Sequence, residues 1–396
     1  MTQKKVLVVG AGLGQLPAIQ KVQNLGHYAL TIDQNPNAVG MSVADISKPI
    51  DITDIDSALS FAKSQSIDGV LTLQSDIGVR TVGEIVSELD LPGVGKATAE
   101  ICSDKHKMQG IFDEKGVPSP TSILVNTIED AQNAAVEIGY PCLIKPANSS
   151  GSRGVSKIES EEDIKQAYLD AKSNSLGERV VLEEYIDGLE VGAQAFSKEG
   201  SCELVVVHND TVTGPPHFVP VGHSYPSQLD RQTLEMVEQS VKKGVESLGI
   251  HTGPSNIDLI IDEDGQPKIL EIAARIGATC LPELTTCYTG IDWVGESVCA
   301  AIGEEVVLDQ PHSNPCAALV ISAPSDGILS EFNIPKSIKK RGDVVDIKKE
   351  ANIGDEVSIL RDGPDRIGKV VVEGDSWEES EKKAKEIISK IIINVE

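Results

Sequence analysis

The sequence predicts an α/β nucleotide-fold domain running into α+β structure, on three observations. Short apolar strands alternate with helical stretches over the first hundred residues. Strand pairs and hairpins then replace that alternation, and small, glycine-rich turns stand at strand ends. In order, residues 4–9, 29–33 and 69–73 read as strands, and 13–25, 55–64 and 78–89 as helices. Such alternation implies a parallel sheet with helices on both faces. Gln15 and Pro17 break the apolar run at the start, so it reads as a first strand and not as a signal peptide. Leu91-Pro-Gly-Val-Gly95 closes this unit.

Residues 96–116 read as one helix leading to a second block. There a strand at 122–125, a helix to Ile138 and an apolar strand at 141–146 precede the small polar stretch 147–154. A helix at 163–173, a strand at 180–185 and a strand-turn-strand over 190–208 follow. Residues 228–249 form a long helix, with Leu234, Val237, Val241, Val245 and Leu248 at helical spacing. Residues 253–273 read as a hairpin. A third block begins near Gln310, with strands at 316–323, 344–347 and 369–373 and a closing helix at 376–391. The expected domains are 1–95, 96–309 (with a lobe over about 120–186) and 310–396.

Composition narrows the function. The 396 residues carry 35 Lys and Arg against 61 Asp and Glu, a formal charge of −26. Nucleic acid and anionic membranes are poor partners for such a surface. Only 3% of residues are aromatic, so stacking on exposed bases is not its mode of action. No apolar run approaches the ~18 residues that cross a bilayer. Seven cysteines, scattered and never spaced Cys-x-x-Cys, fit a reduced cytoplasmic protein better than a disulfide frame or zinc site.

Gly10-Ala-Gly-Leu-Gly14 follows a strand and opens a helix, and Asp33 ends the next strand. A dinucleotide fingerprint wants its third glycine at 15, where Gln stands, so a tight turn is preferred over an NAD site. Lys145 ends an apolar strand, in Cys142-Leu-Ile-Lys-Pro146, where a lysine makes sense if it meets an anion. Asn148-Ser-Ser-Gly-Ser-Arg-Gly154 follows, supplying backbone N–H groups, hydroxyls and a guanidinium for a phosphate. A turn at Asp264-Gly265 would set Asp258 opposite Glu271, with Cβ atoms about 5 Å apart. Two facing carboxylates suit a hard cation such as magnesium, and Arg275 can neutralise further charge.

Together these residues resemble the ATP-grasp superfamily of carboxylate–amine ligases. The likeness rests on Ser103-Asp-Lys105, Leu143-Ile-Lys-Pro146, the loop from Ser149 to Gly154, Glu183-Glu-Tyr-Ile-Asp-Gly-Leu-Glu190, and Asp258 with Leu270-Glu-Ile-Ala-Ala-Arg275. It implies a Rossmann-like pre-ATP-grasp domain, a two-lobed ATP-grasp domain and a small α+β C-terminal domain. It also implies that Lys105 and Lys145 contact the phosphates of ATP under a lid of Ser150, Gly151, Ser152, Arg153 and Gly154. Glu183, Glu184 and the strand through Ile186 would meet adenine, and Glu190 the ribose. Asp258 and Glu271 would hold Mg2+, and Arg275 would steady an acyl phosphate. Family members often carry Asn where Ala273 stands; Asn256 or a single Mg2+ would then suffice.

The implied reaction is ADP-forming amide synthesis from a small carboxylate and an amine, of amino-acid type, by a cytoplasmic enzyme and with homodimerisation as the family expectation. A purine-pathway ATP-grasp enzyme acting on a ribosylamine or bicarbonate is the alternative, and an NAD-dependent oxidoreductase a weaker one. Residues 211–227, rich in proline and histidine, resemble a substrate-facing loop, in which His223 would bind a carboxylate or relay a proton. His217 and Arg80 are lesser candidates.

Overall fold

A computed structural model describes residues 2–148, 154–175, 177–213, 219–361 and 363–396. The first block comprises β1 (Lys5–Val9), α1 (Leu16–Asn24), β2 (Tyr28–Asp33), β3 (Ile46–Pro49), α2 (Ile55–Gln65), β4 (Gly69–Leu71) and α3 (Ile77–Leu89). Its four strands pair in parallel in the order β3-β2-β1-β4. Alternate residues of β1 and β2 are buried on opposite faces: Leu7, Val9, Leu30 and Ile32 against Phe61 and Ile85, and Val6, Val8 and Ala29 against Ala18 and Ile19. Burial on both faces is what makes these strands read as continuous apolar runs.

The expected helix at 96–116 is two helices, α4 (Lys96–Cys102) and α5 (Lys105–Lys115). Asp104 breaks it: its extended backbone starts a new helix, and its carboxylate accepts a hydrogen bond from Lys107 N. A second lobe follows, with β5 (Ser122–Val125), α6 (Ile128–Ile138), β6 (Cys142–Pro146), β7 (Ser156–Ile158), α7 (Glu161–Ser173) and β8 (Val180–Glu184). Its antiparallel sheet runs β5-β8-β6-β7 over a core that includes Ile144, Leu182 and Tyr168. Cys142 and Ile144 fill that core, so strand alternation turns Lys145 to the other face.

Next come β9 (Gly188–Lys198), β10 (Ser201–Val212), β11 (Pro220–Tyr225), α8 (Arg231–Ser247), β12 (Gly253–Asp262), β13 (Pro267–Ala273), α9 (Leu281–Thr289) and α10 (Trp293–Ala301). The last block holds β14 (Cys316–Ser322), β15 (Gly327–Asn333), α11 (Lys336–Lys339), β16 (Val344–Lys349), β17 (Glu356–Val357), β18 (Arg366–Glu373), α12 (Trp377–Ile388) and β19 (Ile392–Val395). The closing helix therefore ends at Ile388, and the chain finishes as a strand. One antiparallel sheet of eight strands, β13-β12-β9-β10-β11-β14-β18-β16, joins these two stretches through the β11–β14 pairing.

The first block docks closely on this sheet's helices. A Cβ added to Gly69 would stand 2.4 Å from the Ala301 carbonyl oxygen, so β4 touches α10 only because no side chain intervenes. Gln74 N donates to Ile276 O (3.3 Å), tying the loop after β4 to the loop after β13.

Candidate functional site

The floor of the site is the β13-β12-β9-β10-β11 part of the large sheet. The hairpin turn is one residue longer than expected. Gly265 N donates to Asp262 O and Asp262 N to Gln266 O, enclosing Glu263-Asp264-Gly265, with Gly265 at φ +74°. This is a three-residue loop with glycine in the left-handed position. Left alone, it would slide Asp258 opposite Leu270. A β-bulge between Asp258 and Leu259 absorbs the extra residue, and Asp258 pairs with Glu271 after all.

Paired residues share a face of the sheet. Glu271, Asp258, Gly192 and His208 pair in succession across four strands. In the next row Asp210 pairs with His223. Asp258 remains exposed to solvent while protein atoms crowd its carboxyl. Burial, then repulsion by Glu271 and Asp210, push it up to about 6, against the pull of Arg275 and Asn256. Glu190 is likewise raised, by burial and by Asp210.

Three cations converge here. Lys105, the first residue of α5, places its ammonium 2.6 Å from Glu271. Burial opposes its charge, but Glu271 first, then Asp76 and Glu183, hold it above its usual range. Lys145 lies 2.6 Å from Glu183, the two side chains 8% and 5% exposed. Removing one partner of such a pair typically costs ~3–5 kcal/mol, because the other charge is stranded. Arg275 donates to Asp76 (2.7 Å), which the first block contributes just before α3. Asp104 also accepts from Arg179, and Lys105 N donates to Ala147 O (2.8 Å), which fastens α5 to the second lobe.

Of the expected site residues, Lys105, Glu271, Asp258 and Arg275 thus meet at one place, with Lys145 and Glu183 on the adjoining wall. Glu184 faces elsewhere, accepting from Thr121 N (3.1 Å). Ser150, Gly151, Ser152, Arg153 and His217 lie outside the described residues, and Gly154 stands at φ +74°. Asn256 does not offer its oxygen to a metal: Gln194 donates to that oxygen (2.6 Å), while the Asn256 amide donates to Asp258 (3.0 Å). It orients the acid instead. His223 is buried against Asp210. Sequence reasoning missed Asp76, His208 and Asp210. The alternation His208-x-Asp210 was a signal, but its partner His223 depends on a pairing that no turn signature gives.

The Gly10–Gly14 turn is not open to a dinucleotide. The Gln15 amide accepts from Gly12 N (3.1 Å) and donates to Leu73 O (2.6 Å). Asp33 accepts from Ala11 N (2.9 Å) and Asn35 N (2.9 Å). The oxidoreductase alternative loses its support, because the chain's own groups fill the place of a pyrophosphate and ribose.

Residues 138–283 match the family described as ATP-grasp domain, and residues 319–396 the family described as L-amino acid ligase C-terminal domain 2. Residues 138–283 are thus an ATP-grasp domain. This ATP-grasp protein is 25% identical over 405 residues to a formate-dependent phosphoribosylglycinamide formyltransferase of Sulfurisphaera tokodaii, covering 98% of this chain and 97% of that one. Phosphoribosylglycinamide synthetase from Anaerococcus prevotii shares its architecture at TM-score 0.84 and 26% identity, over 100% of both chains. L-amino acid ligase from Bacillus licheniformis has the same fold, at TM-score 0.85 and 20% identity over 100% of both chains. The expected fold class is therefore the observed one.

The protein is an ADP-forming, ATP-dependent ligase of the carboxylate–amine class acting on small molecules, with ATP and Mg2+ as cofactors. Its acids fit magnesium: two hard carboxylates face each other, and an ammonium already rests on one of them. Among the described residues, no helix is long and apolar enough to cross a membrane.

Proposed function

We propose that this ATP-grasp ligase joins an amino-acid-type carboxylate to an amine through an acyl phosphate. The observation that supports the choice of substrate is the Arg275–Asp76 pair, one cation and one anion at the junction of the first block and the floor. An α-amino acid carries the complementary pair of charges. The turns after β1 and β4, residues 10–15 and 72–76, contain no Lys or Arg. A ribosylamine phosphate would call for a basic pocket there.

In this reading ATP draws Lys105 off Glu271 and Lys145 off Glu183. The lysines then bind phosphate oxygens, and the hydroxyls, guanidinium and N–H groups of residues 149–154 are further donors to the same phosphates. Glu183 and the connection through Ile186, which lies between β8 and β9 and not in a strand, border adenine, and Glu190 takes the ribose; Glu184, turned to Thr121, leaves this set. Asp258 and Glu271 would hold Mg2+, which would supply charge neutralisation on the phosphates. The substrate carboxylate attacks the γ-phosphate, and Arg275 stabilises the acyl phosphate. Catalysis is chiefly positioning and electrostatics.

We also propose a division into domains at 95/96 and 309/310, a cytoplasmic location, and a homodimer. All seven thiols are free, and burial raises Cys102, Cys202 and Cys280 to about 12, as suits inert reduced cysteines. Ile328, Val345, Ile353 and Ile392 are exposed on the third block and are candidates for a subunit contact.

The test is ADP release with the twenty L-amino acids singly and in pairs, beside formate or bicarbonate with phosphoribosylglycinamide. ADP release with amino-acid pairs alone supports the proposal. Release with the phosphoribosyl substrate alone replaces it with the purine-pathway reading, which the full-length similarity to phosphoribosylglycinamide enzymes favours.

A further inference from the structure

Two histidines of the floor share one carboxylate. Asp210 Oδ1 lies 2.8 Å from His208 Nδ1 and 2.6 Å from His223 Nδ1. The two rings meet edge-on with centroids 4.9 Å apart. Both Nδ1 atoms must carry hydrogen to donate to the carboxylate, which leaves a lone pair on each Nε2. Both Nε2 atoms are buried and have no hydrogen-bond partner among the described residues.

These lone pairs await a donor, and the sheet says from where it comes. His208 lies over Gly192, where an added Cβ would stand 2.2 Å from its Cε1 and 2.6 Å from its Nε2. Gly192 is the pairing partner of Asp258. The ring therefore leans over the one residue without a side chain between it and the magnesium acids.

We propose that His208 and His223 form the subsite for the attacking amine, with His208 as its general base and Asp210 as the residue that positions both rings. This inference rests on the ligase reading above. The amine enters as an ammonium and gives one proton to His208 Nε2, while His223 Nε2 accepts a second N–H. The nitrogen lone pair forms the C–N bond at the acyl carbon, and the C–O bond to phosphate breaks. The surplus amide proton leaves with the phosphate as hydrogen phosphate, and His208 later returns its proton to solvent. Burial keeps His223 neutral by lowering its pKa against the pull of Asp210. The two histidines hold Asp210 well below the usual carboxylate range despite its burial. Among the described residues, Glu190, Asp258 and Tyr225 are titratable groups that also face the cluster.

Hydroxylamine tests this, because it is already unprotonated near neutral pH and attacks an acyl phosphate without a base. Wild type, His208→Gln and Asp210→Asn are assayed with ATP, Mg2+ and pooled L-amino acids, for amide and for hydroxamate. The expected result is a loss of about 10²–10⁴-fold in amide formation, with hydroxamate formation within about threefold of wild type. If a variant fails to fold, Gly192→Ala displaces the ring with its chemistry intact and should give the same split.

Equal loss of both products overturns the base assignment, as does no loss of either. The three side chains can also bring their ligand atoms within 4.8 Å of one another. Tightly held zinc that is needed for turnover would therefore make the cluster a metal site and overturn the proposal too. A wild type that forms neither product sinks the ligase reading instead.

Discussion

The crevice above the parallel sheet and the floor of the antiparallel sheet both place loops and polar side chains at strand ends. They differ in how those groups are satisfied. In the crevice, Gln15, Gln74 and Asp33 fill the glycine turn and bond to its backbone. On the floor, Asp258 faces Glu271, and two imidazole nitrogens have no donor among the described residues. Glycines near a strand end did not distinguish a ligand site from a tight turn. Electrostatic cost left uncompensated by the chain did.

Breaking the floor should have the largest effect. Glu271→Ala removes one of the two facing acids and an ion-pair partner of Lys105, so ADP release should fall by at least about 10²–10³-fold. Its circular dichroism should stay native; near-normal turnover would refute the metal assignment. The wall comes next. Lys145→Met leaves Glu183 charged and unpaired, and urea unfolding should show a loss of about 3–5 kcal/mol. Adding Glu183→Gln should restore most of that stability without restoring ATP binding, and a double variant as unstable as the single one would deny the pairing its role.

The pH dependence sharpens the contrast further. Asp258, raised to about 6, is ionised at neutral pH and takes up a proton as pH falls through that value. Metal must then compete with the proton, so the Mg2+ concentration for half-maximal rate should rise about tenfold per pH unit below 6. A flat Mg2+ requirement between pH 5 and 7 would count against Asp258 as a ligand. The smallest effect belongs to the crevice. Gln15→Ala should lower stability by about 1–2 kcal/mol, through the unpaired Gly12 N–H and Leu73 carbonyl, and leave turnover within about twofold. A tenfold loss of rate would mean that the turn holds substrate.

Much of the site was legible, some of it through compensation. The facing of Asp258 and Glu271 followed from a two-residue turn that is in fact three residues long, and a bulge at Leu270 restored the pairing. Turn length has a signature in Asp-Gly; the bulge has none. Lys145 announced itself because a lysine in an apolar strand contradicts its surroundings. Asp76 sat unremarked ahead of an ordinary helix, since only docking of the first block brings it to Arg275.

Chain chemistry alone determined the strand and helix periodicities, the anionic surface, and the order of lysine, glycine loop and acids, because each is local in sequence. Tertiary structure decided which charges meet. Lys105 reaches Glu271 across 166 positions, Asp76 reaches Arg275 across 199, and His208 leans over Gly192. Strand register and close backbone packing set those encounters, and a shift of one residue would turn the strand side chains of Glu271 and His208 to the opposite face.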